Sequence, residues 1–218
     1  MGSNLWDPTW GSNLWDPAVR LMKKNIQIYT CGYKDLDFEQ MPWKMPQRVL
    51  HETLERHAKK RLNGDVCVHT AYTVTSASDP QRSRDVKNLN IHWGEHPDIM
   101  ESVMKSDAFV CLMNKFKQEI VHGQREWWPE GGILHVWIIC KNGRHRAVAA
   151  AKLLTYLAKQ EGFVARNTVH LSRYGPRPWD DTKQRGNWLC TNCDECGPRG
   201  VLRKEKIRKE CIELWDNM

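Results

Sequence analysis

HVWIICKNGRHRAVAAAKLL, residues 135–154, is the stretch whose reading decides the fold. It opens inside the run Ile133 to Ile139, which is apolar almost throughout and reads as a strand buried on both faces. The chain then turns within a few residues and enters a helix from Arg146 to about Gln160. The alanines Ala147, Ala149, Ala150 and Ala151 let that helix pack closely on a sheet. Strand, short loop and helix in this order form the repeating unit of an α/β protein.

The flanking sequence repeats the pattern. Ile26 to Cys31 reads as a first strand, and Pro46 to Leu62 as a helix with Leu50, Leu54, Ala58 and Leu62 four residues apart. Asn63-Gly64 stops it. Val66 to Val74 is rich in β-branched residues and predicts a second strand. Ser76 to Trp93 is polar loop, and Pro97 opens a helix expected to run to about Val121. WWPEGG, 127–132, is a turn before the third strand, and Phe163 to Leu171 supplies a fourth. The expected order β-α-β-α-β-α-β gives a layered α/β sheet. The expected domains are a tail over 1–20, the α/β domain over 21–174, and a Cys-rich extension over 175–218 that closes with a charged helix, Val201 to Trp215.

Chemistry gathers at the loop between the third strand and its helix. The N–H groups of a helix's first turn have no partner within the helix, and the helix dipole adds positive potential there. An anion is favoured at such a junction. Gly143 removes a side chain where backbone must approach a ligand, and Asn142 tolerates a left-handed conformation. Arg146 can grip a phosphate with two parallel hydrogen bonds. Lys141, Arg144 and His145 add positive charge, and Cys140 sits at the strand end, where these groups would lower its thiol pKa.

The spacing of Cys140, Gly143 and Arg146 is similar to the phosphate loop of cysteine-dependent phosphatases, which implies Cys140 as nucleophile and Arg146 as transition-state stabiliser. Ile139 stands where that family has His, and Ala147 where it has a hydroxyl residue. Trp128-Pro129-Glu130 lies too close before the strand to serve as its general-acid loop. The enzymatic reading is therefore the alternative.

The segment more closely resembles the loop and helix of the RapZ C-terminal domain, Cys-Thr-Gly-Gly-Lys/Gln/Arg-His-Arg-Ser-Val. Cys140, Gly143, Arg144, His145, Arg146 and Val148 match it. HPDIMESVMKSDAFVCLMNKFKQEIV at 96–121 and GFVARNTVHLSR at 162–173 resemble the flanking elements, and CGYKDLD at 31–37 echoes the opening segment. The resemblance covers about Asn25 to Arg173. It implies a module that binds RNA or a phosphorylated metabolite through Cys140, Gly143, Arg144, His145 and Arg146; Lys141 and Asn142 complete the expected ligand-binding loop by their position in it. Thr and Gly of the family loop are Lys141 and Asn142 here, its Ser is Ala147, and its early His is Asp35, which would oppose an anion if it lies near. The nucleotide-binding domain of the bacterial members has no counterpart, and no Walker loop occurs.

Composition sets the remaining bounds. A net charge of +7 favours anionic partners. The longest apolar run is far shorter than the roughly 20 residues a membrane-spanning helix needs. The start of the chain has no signal-peptide pattern, so a cytoplasmic protein with reduced thiols is expected. Cys190, Cys193 and Cys196, with Cys211 as a candidate fourth ligand, suggest a structural zinc site; His170 is another candidate. RKEKIRK, 203–209, could touch nucleic acid, although a solvated helix face is the commoner reading. GSNLWDP at 2–8 recurs at 11–17. The repeat is too short for a solenoid; it reads as a duplication, or as a protein-docking tail anchored by Trp6 and Trp15.

Overall fold

In the computed structural model the described residues are 24–36, 44–74, 92–123, 132–172, 195 and 198–218. The tandem GSNLWDP, the stretch between Arg173 and Asn187, and Cys190, Cys193 and Cys196 lie outside them, as do all but the final residue of WWPEGG and most of the 76–93 loop. The chain is an α/β protein; among the described residues it forms a five-stranded parallel sheet and five α-helices. β1 (Asn25–Gly32) and β3 (Ile133–Cys140) pair in register over their full lengths at the centre. β2 (Thr70–Thr73) flanks β3; β4 (Val164–Ala165) and β5 (Val169–His170) flank β1.

Both faces of the central strands are covered, which is why they carry apolar residues in nearly unbroken runs. Alternation divides them. Ile26, Ile28, Leu134, Val136 and Ile138 join the larger core beneath α2 (Pro97–Met104), α3 (Asp107–Phe116), α4 (Arg146–Gln160) and α5 (Val201–Asp216). Tyr29, Cys31, Trp137 and Ile139 face the other way and pack on Leu50, Leu54 and Ala58 of α1 (Gln47–Leu62). Helix α1 ends at Asn63 with φ of 53°, a left-handed cap that Asn tolerates.

The helix expected from Pro97 to about Val121 is two helices. Apolar periodicity continues across the junction, but Ser106 stops the first and starts the second. Its hydroxyl donates to Val103 O (2.6 Å) and accepts the Phe109 N–H (3.3 Å). Beyond α3 the backbone widens into a π-helical turn, Lys117–His122. Ser106→Ala should cost about 1 kcal/mol by removing the N-cap; equal denaturation midpoints for variant and parent would contradict the capping role.

Two strand expectations are also corrected. Of Val66 to Val74, only Thr70–Thr73 forms a strand paired with β3; single backbone bonds extend the contact on either side, from the His69 N–H to His135 O (3.1 Å) and from the Val74 N–H to Ile139 O (2.8 Å), while the Val68 N–H donates to Glu55 Oε1 (3.1 Å). The strand expected from Phe163 to Leu171 is interrupted. Asn25 and Ile26 pair with Val164 and Ala165, but Tyr29 and Thr30 pair with Val169 and His170. Arg166, Asn167 and Thr168 thus oppose only Gln27 and Ile28, a one-residue bulge. The Gln27 amide donates to Asn167 O (2.7 Å), which satisfies a carbonyl the bulge removes from the ladder. Beyond the bulge the alternation is inverted. Ala165 packs on the larger core, yet Val169 and Leu171 pack on the α1 side. His170 therefore turns to the α4 side, where its Nδ1 meets Thr30 Oγ1 at 2.7 Å.

Candidate functional site

The central strands end side by side, Gly32 against Cys140, and their connections leave to opposite faces. β1 leads to α1 on one face and β3 leads to α4 on the other. A crevice at such a point, outside the carboxyl ends of parallel strands, is where open α/β sheets hold ligands.

The loop Lys141–His145 fills the floor of this edge, and Arg146 opens α4. Gly143 has φ of +66°, and its N–H turns back to Cys140 Sγ at 3.2 Å. The turn is possible because Gly143 rests on Gly32: a Cβ on Gly32 would lie 2.5 Å from the Asn142 carbonyl carbon. Two further contacts tie the loop down. The Lys34 N–H donates to Lys141 O (3.2 Å), and the Gly94 N–H donates to Arg144 O (3.1 Å). The Ser172 hydroxyl lies 2.8 Å from Asn142 O and 2.7 Å from Asp35 Oδ2. Asp35 is therefore beside the loop, a negative charge at one end of the crevice.

The seven loop residues named from sequence fall into two groups. Lys141, Asn142 and Arg146 are partly or fully exposed and can meet a ligand. Cys140, Gly143, Arg144 and His145 are buried. Cys140 is 2% exposed and belongs to the larger core, so a substrate could reach its sulfur only from the loop side. Arg144 and His145 lie under the segment that precedes α2. Arg144 Nε donates to His145 Nε2 (3.0 Å), and the same ring nitrogen lies 2.9 Å from His92 O. They support the loop from behind.

Gly32, Ser172 and the 92–96 segment are parts of the site that the sequence did not disclose. Gly32 stands in CGYKDLD, but nothing local to that segment shows that another loop will sit against it. Trp93 packs edge-on against His170, with ring centroids 5.2 Å apart, and Glu95 forms an ion pair with Lys152 of α4 (3.0 Å). Burial drives the pKa of His170 down to about 4, aided by the nearby Lys152. His96 caps α2 by accepting the Asp98 N–H (3.2 Å), and burial also holds its pKa down to about 4.

Cys211 faces the larger core, its thiol 3.8 Å from Met113 Sδ. Burial raises its pKa to about 12, which favours the thiol over the thiolate that zinc takes. Among the described residues no cluster of three or more His, Cys, Asp or Glu side chains is arranged to hold a metal. In 203–209, Arg203 binds Asp98 (2.5 Å) and Glu101 (3.0 Å), Arg208 pairs with Glu205, and Lys206 pairs with Glu210 (3.7 Å). Much of that basic run is thus engaged within the protein. No described helix is long and apolar enough to cross a membrane. No protein-family model matches the chain, and no curated protein matches it.

Proposed function

We propose that the carboxyl edge of the sheet is an anion site, and that the protein acts as a binding module resembling the RapZ C-terminal domain, holding a phosphate of RNA or of a phosphorylated metabolite. The observation that carries this reading is the position of the Cys140–Arg146 loop. It curls at the divergence of the central strands and leads straight into the positive end of a 15-residue helix. Arg146 is the clamp, Lys141 the second cation, and the backbone around Gly143 the cradle.

The contact from the Gly143 N–H to Cys140 Sγ favours a second reading, since a donor aimed at sulfur stabilises a thiolate nucleophile. The burial of Cys140 in the apolar core weighs against it.

Calorimetric titration with inorganic phosphate and with a short single-stranded RNA tests both. The binding module predicts that Arg146→Ala weakens binding at least about tenfold, the loss of one charge-assisted contact. It also predicts that Cys140→Ser leaves binding nearly unchanged and that no aryl phosphate is hydrolysed. Turnover abolished by Cys140→Ser would instead establish the enzyme. Parent and Arg146→Ala binding both ligands equally would refute the site.

A further inference from the structure

His69 and His135 clasp the amino end of β2 to β3. The His69 N–H donates to His135 O (3.1 Å), and the His135 N–H donates back to His69 Nδ1 (3.0 Å). The two rings stack, with centroids 5.5 Å apart and planes 15° from parallel. The second bond fixes the proton on His69. A backbone N–H always donates, so Nδ1 must keep its lone pair, and the neutral ring carries its hydrogen on Nε2. A further proton has only Nδ1 to go to. There it would set one N–H against another, so the bond from His135 and a charged His69 ring exclude each other. The segment that the clasp holds is one wall of an open cleft of about 650 Å³, lined by Asp65, Val66 and Cys67 together with Glu55, Arg56 and Lys59 of α1.

We infer that His69 is an acid-operated latch: while neutral it holds the amino end of β2 to β3, and a proton on its ring opens the clasp and loosens the 65–69 segment from the sheet edge. The segment's other contacts lead to α1. Lys59 pairs with Asp65 (3.0 Å), the Val68 N–H donates to Glu55 Oε1 (3.1 Å), and Val68 packs in the smaller core. They keep the segment tethered to α1 when the clasp to β3 is open. The groups around the ring set the pH at which this happens. Burial, and then the charge of His51 on α1, hold the His69 pKa below its ordinary value, while Glu55 on α1 favours the proton. From β3 the stacked His135 resists a second charge beside His69. Behind His135 stand Arg166, which also opposes its protonation, and Tyr29 of β1, whose hydroxyl meets His135 Nδ1 at 2.9 Å. Once the clasp is open, the His69 ring recovers the proton affinity of a solvated imidazole. Each step down in pH below about 6.5 therefore favours the open form, and above that pH the latch stays shut.

Nitrogen NMR of the imidazole rings, with amide hydrogen exchange, tests the latch in the full chain. At about pH 7.5 the His69 ring should be the Nε2–H form, with Nδ1 accepting a hydrogen bond. Between about pH 7.5 and about pH 5 the His135 amide signal should move together with the His69 ring. Exchange at the His69 and His135 amides, corrected for the intrinsic rate, should accelerate by at most about tenfold per pH unit. The amides of Tyr29 and Ile138 at the sheet centre should not follow. His69→Gln offers an acceptor that takes up no proton, and its profile should be flat. His135→Gln removes the stacked ring but keeps both backbone groups, and it should retain the acceleration. A neutral His69 that carries its hydrogen on Nδ1 would overturn the latch. So would a His69 ring that titrates while the His135 amide stays still. The same acceleration in His69→Gln as in the parent would place the titrating group elsewhere. Equal acceleration at the sheet centre would mean global unfolding in place of a local opening, and would overturn the latch as well.

Discussion

Gly143→Ala should destabilise the protein by about 3 kcal/mol, enough to lower the melting temperature by roughly 6–12 °C in a chain of this size. Two costs combine. A left-handed backbone costs an L-residue about 1–2 kcal/mol. A Cβ at Gly143 would also press on backbone, because it would lie 2.6 Å from the Cys31 carbonyl carbon and 2.8 Å from Ser172 Cβ. Forcing such atoms apart typically costs another 1–3 kcal/mol. Gly162 supplies the control. It has φ of +83° and open space where its Cβ would go, so Gly162→Ala should show the conformational cost alone. Thermal unfolding of the two variants separates the terms. Equal destabilisation would mean that the contact between Gly143 and Gly32 does not constrain the loop.

Stability should fall as pH drops from about 6.5 to about 4, the interval between the proton affinity of an unfolded histidine and that of the buried ones. The folded state holds His170 neutral, while the unfolded chain protonates it near its ordinary pKa, so each step down in pH favours the unfolded chain. The effect is absent above about 6.5 and fully developed below about 4. For His170 it amounts to about 3 kcal/mol. His96 acts in the same direction, as do His57, His69 and His135, whose pKa values burial also lowers. Denaturant midpoints measured across this interval give the slope, and His170→Gln should flatten it. The same slope in His170→Gln as in the parent would show that the ring is accessible to protons in the folded protein.

Much of the fold could be read from β3 and α4. A strand buried on both faces must be apolar on both faces, and a helix lying on it must be narrow, so Ile133–Ile139 and the alanines of α4 announced their places. The division at Ser106 was less visible, because Met104 and Phe109 continue one apolar face across it while the cap operates through a single hydroxyl. The interruption of the fourth strand is hidden for a different reason. A bulge is a property of two strands, and nothing within 163–171 states how many residues of β1 it opposes. The candidate loop was legible in position but only partly in exposure. Arg144 and His145 look like solvated cations until the 92–96 segment is laid over them. That segment has no hydrophobic period to reveal where it packs.

The bulge at 166–168 carries a further consequence. Which way His170 and Ser172 point is decided by a residue count and not by any side chain in the interval. Substitutions at Arg166, Asn167 or Thr168 leave that count intact, whereas the loss or gain of one residue would exchange the two faces of everything downstream. Leu171 would be brought toward the polar contact with Thr30, and His170 into the apolar layer under α1. In evolution this stretch should therefore be free in composition and fixed in length, a constraint that acts on insertions and deletions and passes over point mutations.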